Sequence, residues 1–406
     1  MNKIGRFLLV LFMINTYVLG FYYNNLLRVG NLFPSDIVLV FIIIWIIGGH
    51  ARKLVINKKI IIAFSAAFIE LFLGLLFLNK ISNIYRDFKI FLYFIIPYQF
   101  FKMICKDKRG VETLFKTYLV VIVVSIGLNL YLFFTKGIQN IESGELLRTF
   151  AVGLGWGAVI PIFLVVGSYK TVFIKEYSSI RYWFLQMGAL ICIVLSNTRT
   201  LWITFIITYI LKMIFVDNVI KKVSVKRLCS VVCSTLIITS LLITLNKLEN
   251  PIYAIISERF LEIGVEIKDD DSTLAYRIND ISSSFYKLQS PRIILGYGYG
   301  DTREPYGYRA FEASEENGCE NSFFYYLWKY GIVITFILFS IVLKKLINLY
   351  SGNKGQKIFA IYLLVSMLIG SMSGHLNNSY SLCNYALYFC LANNISEGLK
   401  LFKLEN

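Results

Sequence analysis

Residues 322–343 read SFFYYLWKYGIVITFILFSIVL, and Cys319-Glu320-Asn321 stands directly before them. A run of that length and apolarity matches the roughly 20 residues a helix needs to cross the hydrocarbon core of a bilayer. The same pattern recurs along the chain. Twelve runs qualify, at about 7–23, 32–49, 60–78, 88–105, 114–135, 150–167, 181–197, 200–216, 228–245, 322–343, 357–374 and 379–395. The first lacks a small-residue cleavage site, since it ends Val18-Leu19-Gly20-Phe21, and reads as an uncleaved span. The expected fold is an all-α integral membrane protein of about twelve transmembrane helices.

Composition points the same way. The 406 residues are 57% hydrophobic and 16% charged, with a mean hydropathy of +0.63. Soluble domains carry about 25% charged residues. A soluble enzyme, a disordered chain and a disulfide scaffold are excluded, and the seven cysteines show neither disulfide nor zinc spacing. The net charge of +16 does not indicate nucleic acid. Its cations sit in short clusters between apolar runs, such as Lys106-Asp107-Lys108-Arg109, Lys221-Lys222 and Lys226-Arg227. That is the positive-inside pattern. With both termini cytoplasmic, inner segments hold 25 Lys and Arg and outer ones 16, of which 8 lie in one long segment. Long loops translocate largely regardless of charge, so both termini are expected inside.

That long segment, 246–321, divides the chain into a first block of helices at 1–245, an extracytoplasmic loop, and a last block at 322–406. It holds 14 of the 25 acidic residues, is net −6, and is expected to be mainly helical and to carry part of the active site. Ile252, Ile255, Ile256, Phe260 and Ile263 form one apolar stripe. Leu274, Ile278, Ile281, Phe285 and Leu288 form a second, with Asp271 or Ser272 as N-cap and Arg277, Asp280 and Ser284 on a neighbouring face. Pro291 follows, and Gly296-Tyr297-Gly298-Tyr299-Gly300 reads as a flexible turn. Asp269-Asp270-Asp271 resembles a D-x-D metal clasp, but a solvated turn is the favoured reading because no other ligands are near.

Three features at the expected outer face carry chemistry. Glu320, before the run at 322, is either a carboxylate favoured by the helix dipole or a base at the membrane surface. Arg199, in the tight turn Ser196-Asn197-Thr198-Arg199-Thr200, either snorkels to lipid phosphate or clamps a diphosphate. Arg148, ahead of Gly153, Gly155 and Gly157, has the same two options. His50 and His375 read as uninvolved.

In order and spacing these motifs resemble the O-antigen ligase and polysaccharide polymerase family, best over roughly 190–345. The resemblance rests on Ser196–Thr200, Ser257-Glu258-Arg259, Arg277, the Gly-Tyr repeat, Glu320-Asn321-Ser322 and Tyr330-Gly331-Ile332, with Arg148 as a further position. Glu320 stands where the ligases typically have histidine, which leans the resemblance towards the polymerase branch. The resemblance implies inverting glycosyl transfer at the outer face of the bacterial inner membrane. The donor would be a polyprenyl-diphosphate-linked oligosaccharide, with no nucleotide sugar, metal or cofactor, and a chain-length regulator would be a further partner. Glu320 would take the acceptor proton, and Arg199 and Arg277 would neutralise the leaving diphosphate. Arg148, Asn321 and Arg259 would bind substrate. The rival reading is a lipid-linked saccharide flippase or transporter, for which Glu70, in Phe68-Ile69-Glu70-Leu71, is the clearest intramembrane charge, though nearly alone.

Overall fold

Long apolar stretches without a partner strand satisfy their backbone only as helices, and helices dominate the computed structural model. It describes residues 3–19, 34–49, 58–136, 139–140, 147–148, 179–195, 199–216, 285–303, 319, 321–372 and 379–403. In chain order the helices are α1 (Lys3–Met13, continued by a π-helical turn Ile14–Leu19), α2 (Pro34–Gly49), α3 (Lys58–Leu76), α4 (Ile81–Ile104) and α5 (Lys108–Lys136). They continue as α6 (Ser179–Leu195), α7 (Arg199–Phe215), α8 (Ser322–Tyr350), α9 (Lys354–Ser371) and α10 (Ser379–Lys403). The one strand pair among the described residues is a two-residue antiparallel bridge, Gln139–Asn140 with Leu147–Arg148.

Ten of the twelve expected spans fall on these helices, while 150–167 and 228–245 lie outside the described residues. Among the described residues, three helices are long and apolar enough to cross a membrane: Lys58–Leu76, Lys108–Tyr131 and Ser322–Tyr350. The core forms where α10 lies along α4, with α5, α1 and α9 packed around them. Phe100, Phe101, Tyr385, Leu387, Tyr388 and Leu391 are fully enclosed there. The outward faces are apolar too. Ile37, Phe41 and Ile44 of α2 and Phe68, Phe72 and Leu75 of α3 are all exposed, which suits lipid rather than water. Helix ends are conventional: Asn353 and Gln356 form a reciprocal capping box opening α9, each bond 3.0 Å.

Two expectations are corrected. The run 322–343 is not one straight span. Gly331, at φ 66° and ψ 175°, breaks α8. Thr335 Oγ1 donates to the Tyr326 carbonyl at 2.9 Å, although nine residues of straight helix would set them about 13 Å apart. The Phe323 and Phe339 rings lie 5.7 Å apart rather than the roughly 24 Å of a continuous helix. The first limb is therefore a short arm of about 14 Å folded onto its continuation, and only the limb from Ile332 to Tyr350, about 28 Å, reaches across a bilayer.

The second correction concerns Gly296–Gly300, which is no flexible turn. All five residues are buried. Residues 285–289 are helical, Pro291–Ile294 make a 3₁₀ turn, and the Gly-Tyr repeat then threads as a strap between α3, α4 and the break in α8. Its amides donate in turn: Tyr297 to the Trp328 carbonyl (3.0 Å), Gly298 to Lys329 (3.1 Å) and Tyr299 to Glu70 (3.1 Å). Gly300 donates to Asp87 Oδ2 at 2.8 Å. Backbone carbonyls exposed by a broken helix need partners in a low-dielectric interior, and the strap supplies them. Gly298 must be glycine: its φ is +76°, and a Cβ there would enter the backbone of Leu73 and Gly74.

Candidate functional site

Charged side chains collect where the strap meets the break in α8. Asp87, near the start of α4, is 2% exposed, and Lys329, two turns into α8, is fully buried. Their ion pair is 3.1 Å long. Tyr325 donates its hydroxyl to Asp87 Oδ1 at 2.8 Å, and with the Gly300 amide this gives the carboxylate three partners. The Lys329 ammonium also donates to the Asp301 carbonyl and sits 4.2 Å from the Trp328 ring centroid. Such a pair persists away from water only when its remaining donors and acceptors are also filled.

A second pair lies one layer outward. Asp301 Oδ2 accepts from Lys287 Nζ at 2.9 Å and from the Trp328 indole at 2.6 Å. Lys287 is stacked over Tyr297, 4.7 Å from its centroid. Arg292 is exposed, with its guanidinium 4.6 Å above the Phe77 ring. Beneath the strap, burial pushes the Tyr299 phenol well above its ordinary range, so it acts as a neutral hydrogen-bonding group, 2.7 Å from the Tyr330 hydroxyl.

Glu70 is fully buried, and neither carboxyl oxygen has a hydrogen-bond partner among the described residues. Sequence reading left it nearly alone. It is instead within Coulombic reach of Lys329, so the site joins three ionisable groups from α3, α4 and α8. Lys329 and Asp87 were missed. An ionisable residue inside an apolar run is a functional-site signal in its own right, and Lys329 in the run at 322 carried it.

The residues singled out from sequence are placed as follows. Asn321 is the N-cap of α8, its Oδ1 accepting from the Phe324 amide at 3.1 Å. Arg199 is the first residue of α7, and Arg148 lies in the two-residue bridge opposite Gln139; their side chains are outside the described set. Glu320, Arg277 and Arg259 also lie outside the described residues, as do Asp269-Asp270-Asp271. Cys319, which reads as a lone thiol in a polar stretch, is buried. No group of three or more His, Cys, Asp or Glu able to hold a metal occurs among the described residues.

No protein-family model matches the chain, and no curated protein matches it either. The functional reading therefore rests on the residues themselves.

Proposed function

We propose that this protein is a polysaccharide polymerase, joining polyprenyl-diphosphate-linked oligosaccharide repeat units at the outer face of the bacterial inner membrane by inverting glycosyl transfer. In this reading the chain has about twelve spans, both termini are cytoplasmic, and 246–321 is extracytoplasmic. One observation carries most weight. The end of the long polar segment is bonded, amide by amide, into the break of the helix that Asn321 opens. Glu320 directly precedes Asn321, at the end of the 20-residue link between these two parts. A transfer site needs its base and its phosphate-binding cations held in fixed relation, and a strap anchored on three helices supports that. The hydrogen-bonding cap of α8 is Asn321, beside Glu320 in the chain.

The chemistry follows from the residue types. The acceptor hydroxyl loses its proton to Glu320 as it attacks the anomeric carbon. The bond to the lipid diphosphate breaks, and Arg199 and Arg277, with Arg148, neutralise the charge that grows on the departing oxygen. Arg259 and Asn321 hold saccharide or phosphate. No metal or nucleotide sugar takes part. Transfer of a finished glycan to another acceptor, as in the ligases, would use the same groups.

A flippase or transporter is the second reading, favoured by the broken α8 and the buried Glu70, Asp87 and Lys329. The test is purified protein with a lipid-linked repeat unit and excess EDTA. A product ladder is expected, lost about 10²–10⁴-fold in Glu320→Gln and strongly reduced in Arg199→Lys and Arg277→Lys, which keep charge but lose the planar fork. No ladder, together with movement of the lipid-linked unit across liposomes, would replace the polymerase with the flippase. A ladder abolished by EDTA and restored by magnesium would contradict the metal-free mechanism.

A further inference from the structure

A second polar site lies at the opposite end of the same helices. Lys59 opens α3, Lys102 closes α4 and Lys345 lies late in α8; along their own helices Lys59 and Lys102 are roughly 16 and 22 Å from Glu70 and Asp87. All three lysines line one cavity of about 360 Å³, together with Tyr98 of α4 and Asn393 and Asn394 of α10. Among the described residues no carboxylate lines it. Lys345 Nζ donates to Asn393 Oδ1 at 2.6 Å, which orients it, and the Asn394 amide is tied to the Cys390 carbonyl at 2.8 Å. Lys59 and Lys102 both act electrostatically on Lys345.

Lysines at the ends of spans ordinarily spread out and snorkel towards headgroups. These three instead point their charge into one half-enclosed space, where like charges repel and no acidic side chain among the described residues offsets them. An anion in the cavity relieves that repulsion, and a phosphate oxygen set suits three ammonium donors with amide and phenol donors beside them. The surroundings identify the source. Ile61 and Ile62 beside Lys59, and Leu343 and Ile347 flanking Lys345, are exposed apolar side chains that offer a track for acyl chains. A soluble anion would not need them.

We propose that this cavity binds the phosphate of an anionic lipid headgroup, with the acyl chains lying along α3 and α8. The strap site is not involved. The leaflet is the cytoplasmic one under the topology proposed above, while the binding itself does not depend on that topology.

Thermal unfolding of the full-length protein in a neutral detergent, followed by tryptophan fluorescence, tests this. Phosphatidylglycerol should raise the midpoint by about 3 °C or more, and phosphatidylcholine should not. Lys59→Gln and Lys102→Gln should each weaken the response about fivefold, and Lys102→Arg should retain it. Equal shifts with both lipids, or an undiminished response in the Lys59→Gln/Lys102→Gln double variant, would overturn the proposal. A shift with inorganic phosphate and none with phosphatidylglycerol would assign the cavity to a soluble anion and overturn the lipid. Should the glutamine variants start with a lower midpoint, the arginine variant still decides, because it restores charge without restoring the lysine shape.

Discussion

Replacing Lys329 by methionine removes the cation of a pair whose carboxylate cannot reach water. Asp87 would keep the Tyr325 hydroxyl and the Gly300 amide but lose its only counter-charge among the contacts described. Breaking one side of a buried pair costs about 3–5 kcal/mol, because the surviving charge is left uncompensated. Asp87→Asn should cost less. It leaves an ammonium that still has the Asp301 carbonyl and the Trp328 ring face. The double variant, Asp87→Asn with Lys329→Met, removes both charges at nearly constant volume and should be more stable than Lys329→Met alone. The cycle then returns a coupling of about 2 kcal/mol or more. Equilibrium unfolding in mixed micelles measures it, with Cys319 as a native reporter: it is 4% exposed in the folded protein and becomes reactive to a thiol dye on opening. A coupling below about 0.6 kcal/mol, the mean for hydrogen-bonded side chains inside a membrane protein, would show that water reaches the pair and refute the dry-core argument.

Gly331→Ala should abolish stable expression, since its backbone angles are essentially reserved for glycine and a Cβ would meet the backbone of Leu295 and Gly296; Gly48→Ala, with nothing within 4 Å, should be neutral or slightly stabilising, and equal behaviour of the two would remove the case for a required break. For topology, an impermeant maleimide on intact cells should label Gln289→Cys and spare Lys354→Cys, both exposed positions, until the membrane is opened. The reverse pattern would invert the proposed orientation and move the strap site to the cytoplasm.

The helices were legible because each apolar run must satisfy its own backbone, a purely local demand. Their bounds were less so. The run from 88 begins as a helix at Ile81, because Lys89 finds Asp36 of α2 at 2.7 Å and Asp87 finds Lys329. Neither partner can be inferred from neighbouring sequence. Gly331 looks like any packing glycine in an apolar run, and Gly296–Gly300 looks like any turn. Only together, 31 to 35 positions apart, do they make a break and the strap that fills it. Glycine and tyrosine in alternation carry no periodic apolar signal, yet both tyrosines are buried. Asn321 stood out from the sequence for its position, and its side-chain oxygen caps α8.

The strap also has a consequence for how the chain is made. Asp87 is synthesised 213 positions before the Gly300 amide and 238 before the Tyr325 hydroxyl that will hold it. At about 5–20 residues per second, α4 waits roughly 10 to 50 seconds for these two bonds. A carboxylate within an apolar run is costly to hold in lipid, so the burial of α4 is completed only once the strap and α8 have been made. A nascent chain that stops before residue 322 still holds the Gly300 amide but lacks the Tyr325 hydroxyl and the Lys329 ammonium. Such a fragment lacks only the last fifth of the chain, yet that fifth holds the cation of the buried pair.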